Sequence, residues 1–445
     1  MAKKRYVLVG TGVRASNFIS PLVQRFSDQA ELAALCDLSP TRMAYYNGRL
    51  AGELGYHAVP TYAADQFERM IDEQRADSVI VTSKDSTHHD YIVRALRKGC
   101  DVITEKPMTV DAGKCRLILD AVQQTGRKVL VAFNYRWSAH RTKVRELVAA
   151  GTIGRVTSVN VEYLLNTNHG ADYYRRWHAT MADSGGLLVH KSTHHFDLVN
   201  WWIDAIPEQV FAYGRLDFYG RDNAVARGEE ARTTYDRYTG EARAAQDPFA
   251  LDLREHQSLE GLYLKAEGDS GYLRDRNVFR AGIDIYDNMS VLVRYRTGVQ
   301  LNYSLLSFSP REGMRVSING DRGRLEYAEF QPTHIPKQDG REPERSPSDQ
   351  PGETIFVYPH FQPSYEVKAE KLPGGHDGSD PILSEQLFAA QPPADPFGRR
   401  AGQEQGAASI LIGIAANQSI ASNRPVNIGD LAPLKPGAKK LSELV

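Results

Sequence analysis

Tyr6-Val-Leu-Val9-Gly10-Thr-Gly12-Val-Arg-Ala15 is a short apolar run that ends on two closely spaced glycines. The run reads as a buried strand, and the residues after it as a turn that opens a helix. In that setting the glycines permit a tight turn and let the backbone approach a pyrophosphate, while the unpaired N–H groups of the helix start attract negative charge. Gly10, Gly12, Val13, Arg14 and Ala15 are therefore candidate dinucleotide contacts. Working outward, Asp37 lies just past the next apolar run, Glu31–Leu35, and 22 residues beyond Ala15. A carboxylate there can accept hydrogen bonds from the adenosine ribose hydroxyls. Its charge repels a 2′-phosphate, so NAD is the expected cofactor. Ser39 and Arg42 stand close enough in sequence to moderate that preference, which keeps NADP open.

The same alternation continues. Ser78–Thr82, Asp101–Thr104 and Lys128–Phe133 are further apolar runs, separated by helical stretches such as Asp90–Arg97, which stops at Gly99, and Ala112–Gln124, which stops at Gly126. Strand and helix in turn predict parallel βαβ units, hence an α/β doubly wound Rossmann domain over residues 1–136. Pro21 falls inside the first predicted helix, where a kink is expected. Thr82, at the end of its run, and His88 just after it join the expected cofactor contacts.

Beyond Arg136 the period changes. A helix through Val144–Ala150 leads to longer alternating strands, Val156–Leu165, Met289–Tyr295 and Val299–Leu306, the last two flanking a hairpin turn at Arg296-Thr-Gly298. Residues 137–445 thus read as an α+β domain with a large, mainly antiparallel open-faced sheet. Residues 214–283 are charged and weakly periodic, and look like an insertion on that sheet. Residues 331–380 carry Pro332, Pro336, Pro343, Pro347 and Pro351 and predict an extended surface excursion. Gly406–Ile420 reads as a packed apolar helix.

Composition narrows the function classes. With 445 residues, 41% hydrophobic and 24% charged, the chain can bury a sizeable core, and a net charge of −1 argues against a nucleic-acid partner. No stretch approaches the about 18 apolar residues that cross a bilayer, and the start lacks a signal-type apolar region, so no membrane partner and a cytoplasmic location are expected. Cys36, Cys100 and Cys115 are odd in number with no CxxC pair, and read as buried free thiols.

Thr104-Glu105-Lys106-Pro107 follows the run Asp101–Thr104. With the glycine fingerprint and the acidic residue after the second strand, it makes the chain resemble the Gfo/Idh/MocA oxidoreductases. The resemblance implies that Glu105 and Lys106 sit at the nicotinamide end of the cofactor, with Lys106 beside the reacting carbon. It also implies a second motif, Gly185-Gly-Leu-Leu-Val-His190-Lys-Ser-Thr-His194-His-Phe-Asp197, in which His194 and Asp197 match the family. His190 stands where an aspartate is usual, and Ser192 where a glycine is usual. On a helix, positions 190, 194 and 197 would share one face.

Oxidation of a carbinol needs a base for the hydroxyl proton, and histidine titrates near neutrality. His194 is the expected general base, with Lys106 and His190 polarising or relaying. His190-x-x-x-His194 could also chelate a metal, but Lys191 stands where a zincin has glutamate, so no metal is expected. Tyr174, Arg176 and Trp177, in the aromatic stretch Tyr173–His178, together with Arg136, Lys191 and Asp197, are the expected contacts to a polyhydroxylated substrate.

The resemblance implies an NAD-dependent oxidoreductase that transfers a hydride between a secondary hydroxyl of a sugar, glycoside or cyclitol and nicotinamide. The alternative is an NAD-retaining enzyme that cleaves glycosides by transient oxidation, elimination and re-reduction. A non-catalytic sensor on the same fold is a third class, against which Lys106 and His194 speak. A homodimer or homotetramer, paired through the open sheet face, is expected by analogy.

Overall fold

The computed structural model describes residues 3–335, 351–370 and 378–444. Its first sheet begins with β1 (Lys4–Val9), which enters the glycine turn, and α1 (Ser16–Gln24), which runs on through Pro21. β2 (Ala30–Asp37) and α2 (Pro40–Gly52) follow, then the short β3 (Thr61–Ala63) and α3 (Phe67–Gln74). β4 (Ser78–Val81), α4 (His88–Arg97), β5 (Asp101–Thr104), α5 (Ala112–Thr125) and β6 (Val129–Val131) complete the unit. The order β6-β5-β4-β1-β2-β3, all parallel, is that of a doubly wound dinucleotide fold. β2 and β4 are buried almost throughout, which is why they read as apolar runs without alternation.

Among the described residues the second sheet has nine strands. They are β7 (Val156–Asn166), β8 (Pro207–Arg215), β9 (Asn288–Tyr295), β10 (Gln300–Ser309), β11 (Arg311–Gly320), β12 (Gly323–Thr333), β13 (Gly352–Pro359), β14 (Tyr365–Val367) and, after a two-residue strand β15 (Ala401–Gly402) that belongs to the first sheet, β16 (Val426–Asn427). Only β7 and β10 pair in parallel; the other neighbours are antiparallel. In β9 buried and exposed residues alternate strictly, so one face packs and the other is open. The packed face receives the buried helices Thr193–Trp202 and Gln403–Ser422. Tyr213 and Leu292 are exposed on the open face, where the expected pairing of subunits would occur.

Three expectations change. The stretch 331–380 is not an extended excursion where it is described: β12 runs to Thr333, and β13 and β14 pair at the edge of the sheet. Ile355 and Val357 alternate inward in β13, a signal that the surrounding prolines outweighed. Pro336, Pro343 and Pro347 lie outside the described residues. The insertion between β8 and β9 stays only in part on the second sheet: Phe249 and Phe279 join the core that contains that sheet, while Leu253, Leu262 and Tyr263 enter the apolar core around α1, α2 and β1. Finally, the chain returns to the first sheet late. The helix Ser379–Phe388 sets Phe388 edge-on against Tyr6, and β15 pairs with β6. Cys36, Cys100 and Cys115 are free and buried. Among the described residues no helix is long and apolar enough to cross a membrane.

Candidate active site

A single cleft of ≈ 1220 Å³ runs from Asp37 to Glu312, lined by the carboxyl ends of the parallel strands on one side and the second domain on the other. That is the crevice at which open α/β sheets bind ligands. At its head Gly10 takes φ +94°, and a Cβ there would lie 2.3 Å from Ser83 N, so the turn requires glycine. Gly12 faces the cleft. The N–H of Val13 donates to Tyr263 Oη at 3.0 Å, and Tyr46 Oη donates to the Gly12 carbonyl at 2.8 Å. Ala15 is buried under the turn.

Asp37 ends β2 with both oxygens engaged. Oδ2 accepts from Thr11 N and Thr11 Oγ1 at 2.5 and 2.9 Å, and Oδ1 from Ser39 N and Arg42 Nη2, both at 2.8 Å. From the insertion, Asp269 reaches the start of α2, accepting from Thr41 N at 3.1 Å and from Ser39 Oγ. A carboxylate thus already fills the amide-rich end of that helix. The turn, the acidic residue after β2 and the size of the cleft fit a dinucleotide.

Beside the turn Thr82 donates to the Gly10 carbonyl at 2.6 Å, and His88 is held between the carbonyls of Pro107 and Ser83. Glu105 is buried and takes the Arg14 guanidinium, with Nε at 2.9 Å. Lys106 follows it into the cleft and donates from Nζ to the His190 carbonyl at 3.1 Å. Burial lowers the Lys106 pKa to about 8, with Asp85 and Glu105 pulling the other way.

His190 ends the short helix Leu187–His190, and its Nδ1 lies 2.5 Å from Asp85 Oδ2. Burial lowers the imidazole well below its ordinary value, Lys106 and Arg176 adding to the effect, and burial raises the Asp85 carboxyl. Both directions favour one shared proton over an ion pair. Ligand atoms of Asp85, His178 and His190 lie within 4.8 Å of one another. The neighbouring Lys106 and Arg176 cations oppose a further positive charge at this cluster. His194 lines the same wall, its ring stacked on Tyr135 at 4.0 Å.

Of the expected substrate contacts, Arg176, Trp177 and Lys191 line the cleft. Three do not, and are corrected here. Arg136 and Asp197 are 0% and 1% exposed and form a two-pronged pair, at 2.7 and 2.6 Å, so each is spent on the other. The helix containing Asp197 starts afresh at Thr193, which separates it from His190. Tyr174 points into the core, stacked on Tyr219 at 3.9 Å with its hydroxyl at Ser307. Its neighbour Tyr173 faces the cleft instead, since consecutive helical residues point about 100° apart.

His178 and Tyr135 line the cleft as part of the stretches Tyr173–His178 and Asn134–Arg136 read from the sequence, whereas Asp85, Tyr163, Glu312 and Tyr263 line it and were not singled out. Asp85 had a signal, its position just past the end of β4. The others depend on pairings hundreds of residues apart.

Known proteins match this arrangement. The model of the Gfo/Idh/MocA oxidoreductase family, NAD-binding Rossmann fold, matches residues 4–133, and that of its C-terminal alpha/beta domain matches residues 145–428. The chain belongs to this family. It is an oxidoreductase of the Gfo/Idh/MocA type, with a nicotinamide dinucleotide as cofactor. YteT of Bacillus subtilis (strain 168), a candidate oxidoreductase, is 38% identical over 96% of this chain and 98% of its own length. Inositol 2-dehydrogenase of Rhizobium meliloti (strain 1021) is 29% identical over 47% of this chain and 57% of its own length. The WlbA dehydrogenase from Bordetella pertussis, solved with NADH and UDP-GlcNAcA, has the same fold, with a TM-score of 0.61 and 16% identity over 96% of this chain and 99% of that one.

Proposed function

We propose that this oxidoreductase uses NAD to oxidise a secondary hydroxyl of a sugar, glycoside or cyclitol, or to reduce the corresponding ketone. The observation that carries the reading is Lys106, half-buried in the cleft with its Nζ 3.1 Å from the carbonyl of His190, whose ring meets Asp85. Nicotinamide, when bound, supplies the hydride acceptor. The chain's own residues handle the proton. Lys106 Nζ, when neutral, accepts the hydroxyl proton; His194, on the same wall, is the second group placed at that hydroxyl; and Asp85 with His190 forms a proton-sharing pair behind them. The faces of Trp177, Tyr135 and Tyr173 suit the apolar side of a ring, and the ionic groups between them suit its hydroxyls. The test is a panel of sugars and cyclitols with NAD. Net NADH accumulation supports the reading, whereas release of an aglycone without NADH identifies the glycoside-cleaving alternative.

The sign of the pH dependence follows from Lys106. Below about 8 its ammonium has no lone pair, so kcat/KM for oxidation rises with pH and levels off above that value, while the reductive direction falls over the same range. A flat oxidative profile between about pH 6.5 and 9.5 removes Lys106 from the proton transfer.

Preference for NAD is proposed to rest on Asp37 together with Asp269, two carboxylates where a 2′-phosphate would have to lie. Asp269→Ala is expected to raise the ratio of kcat/KM with NADP to that with NAD by roughly tenfold or more, since facing like charges cost several kcal/mol. An unchanged ratio refutes the part given to Asp269.

A further inference from the structure

Lys191 stands out among the groups of the cleft because of what surrounds it. The residue is only 4% exposed, yet it lines the cavity. Its Nζ donates to Tyr135 Oη at 3.1 Å and lies 5.1 and 5.5 Å from the ring centroids of Tyr163 and Tyr135. The nearby acidic groups are engaged elsewhere. Glu312 Oε1 is 2.9 Å from His169 Nδ1, and Glu329 accepts from Arg141 at 2.5 Å and Tyr327 at 2.8 Å. Among the described residues, no ion pair joins Lys191 to a carboxylate, whereas Lys84, Arg14 and Arg141 along the same cleft each have one.

Burying an ammonium away from a counter-ion costs several kcal/mol. Ring faces, one hydroxyl and the more distant charge of Glu312 hold the ammonium in its charged form, and an anion that enters the cleft is the partner it lacks at hydrogen-bond distance. We propose that the substrate is an acidic sugar whose carboxylate docks on Lys191 Nζ, between the rings of Tyr135 and Tyr163. One unpaired ammonium matches one unit of negative charge, which fits a carboxylate better than a phosphate. Lys191 directly follows His190, whose carbonyl receives Lys106, so the carboxylate site and the reacting hydroxyl belong to the same small ring. The inference rests on the sugar-oxidoreductase reading above and adds the charge class of its substrate.

The test compares D-glucuronate and D-galacturonate with D-glucose, D-galactose and a sugar phosphate, using the full chain loaded with NAD. NADH formation and thermal stabilisation by each sugar are both read. The uronates are expected to be turned over and to stabilise the protein in preference to their neutral counterparts. Lys191→Met is expected to raise KM for the uronates about ten- to a hundred-fold more than KM for the neutral sugars, the span of a charged hydrogen bond. Lys191→Arg should keep the preference in part, which separates loss of charge from loss of fold. Equal use of acidic and neutral sugars, a preference for the sugar phosphate, or a preference that survives Lys191→Met overturns the proposal. If the uronates stabilise the protein through Lys191 but no sugar yields NADH, the carboxylate site stands and the oxidation reading fails.

Discussion

Lys106→Ala lowers kcat for the oxidised sugar by roughly 10²- to 10⁴-fold, the usual contribution of one positioned acid or base, while the affinity for NADH stays within a few-fold of the native protein. The split follows from the site's geometry. Lys106 Nζ hydrogen-bonds the His190 carbonyl across the cleft, whereas the head of the cofactor crevice is built from Gly12, Val13 and Asp37. Removing the side chain takes away the proton acceptor and leaves the Glu105–Arg14 ion pair that shapes the adjoining turn. Steady-state kinetics beside an NADH fluorescence titration measure both quantities. Native turnover in the alanine variant takes the chemistry away from Lys106, and a matching loss of NADH affinity makes it a binding residue.

Asp197→Ala destabilises the folded chain by about 3–5 kcal/mol, the range for removing one partner of a buried ion pair. Arg136 is fully buried, and with Asp197 gone its guanidinium keeps only neutral acceptors, Gln405 Oε1 at 2.7 Å and the Gly398 carbonyl at 3.2 Å. Burial already raises the Asp197 carboxyl with Arg136 beside it, a sign of how little water reaches the pair. Urea unfolding followed by tryptophan fluorescence reads the loss. The KM of the fraction that remains folded should match the native value, because neither residue lines the cleft. Native stability with a raised KM would return Asp197 to the substrate.

By itself the sequence determined the first domain. Its strands are buried on both faces and so read as apolar runs, and the glycine turn and Asp37 sit at the two adjacent strand ends where a dinucleotide fold needs them. Glu105 and Lys106 were picked out by the family resemblance that Thr104-Glu105-Lys106-Pro107 carries, and they lie just past the end of β5. The alternating strands of the second sheet and the buried helix Gln403–Ser422 were equally local signals.

Only the tertiary structure decided what faces the cleft. Arg136 and Tyr174 belong to the right segments, but Tyr135 and Tyr173 beside them took the open side, and direction around a helix depends on which partner buries which face. The insertion carried only a weak periodic signal and still brought Tyr263 to the glycine turn and Asp269 to the start of α2, through contacts 250 and 230 residues apart in the chain. Asp85 meets His190 across 105 residues. Spacing along the chain holds no information about such pairings, because they form only when separately folded surfaces close on one another. The first glycine turn could therefore be read from its own residues, and the chemistry that it serves could not.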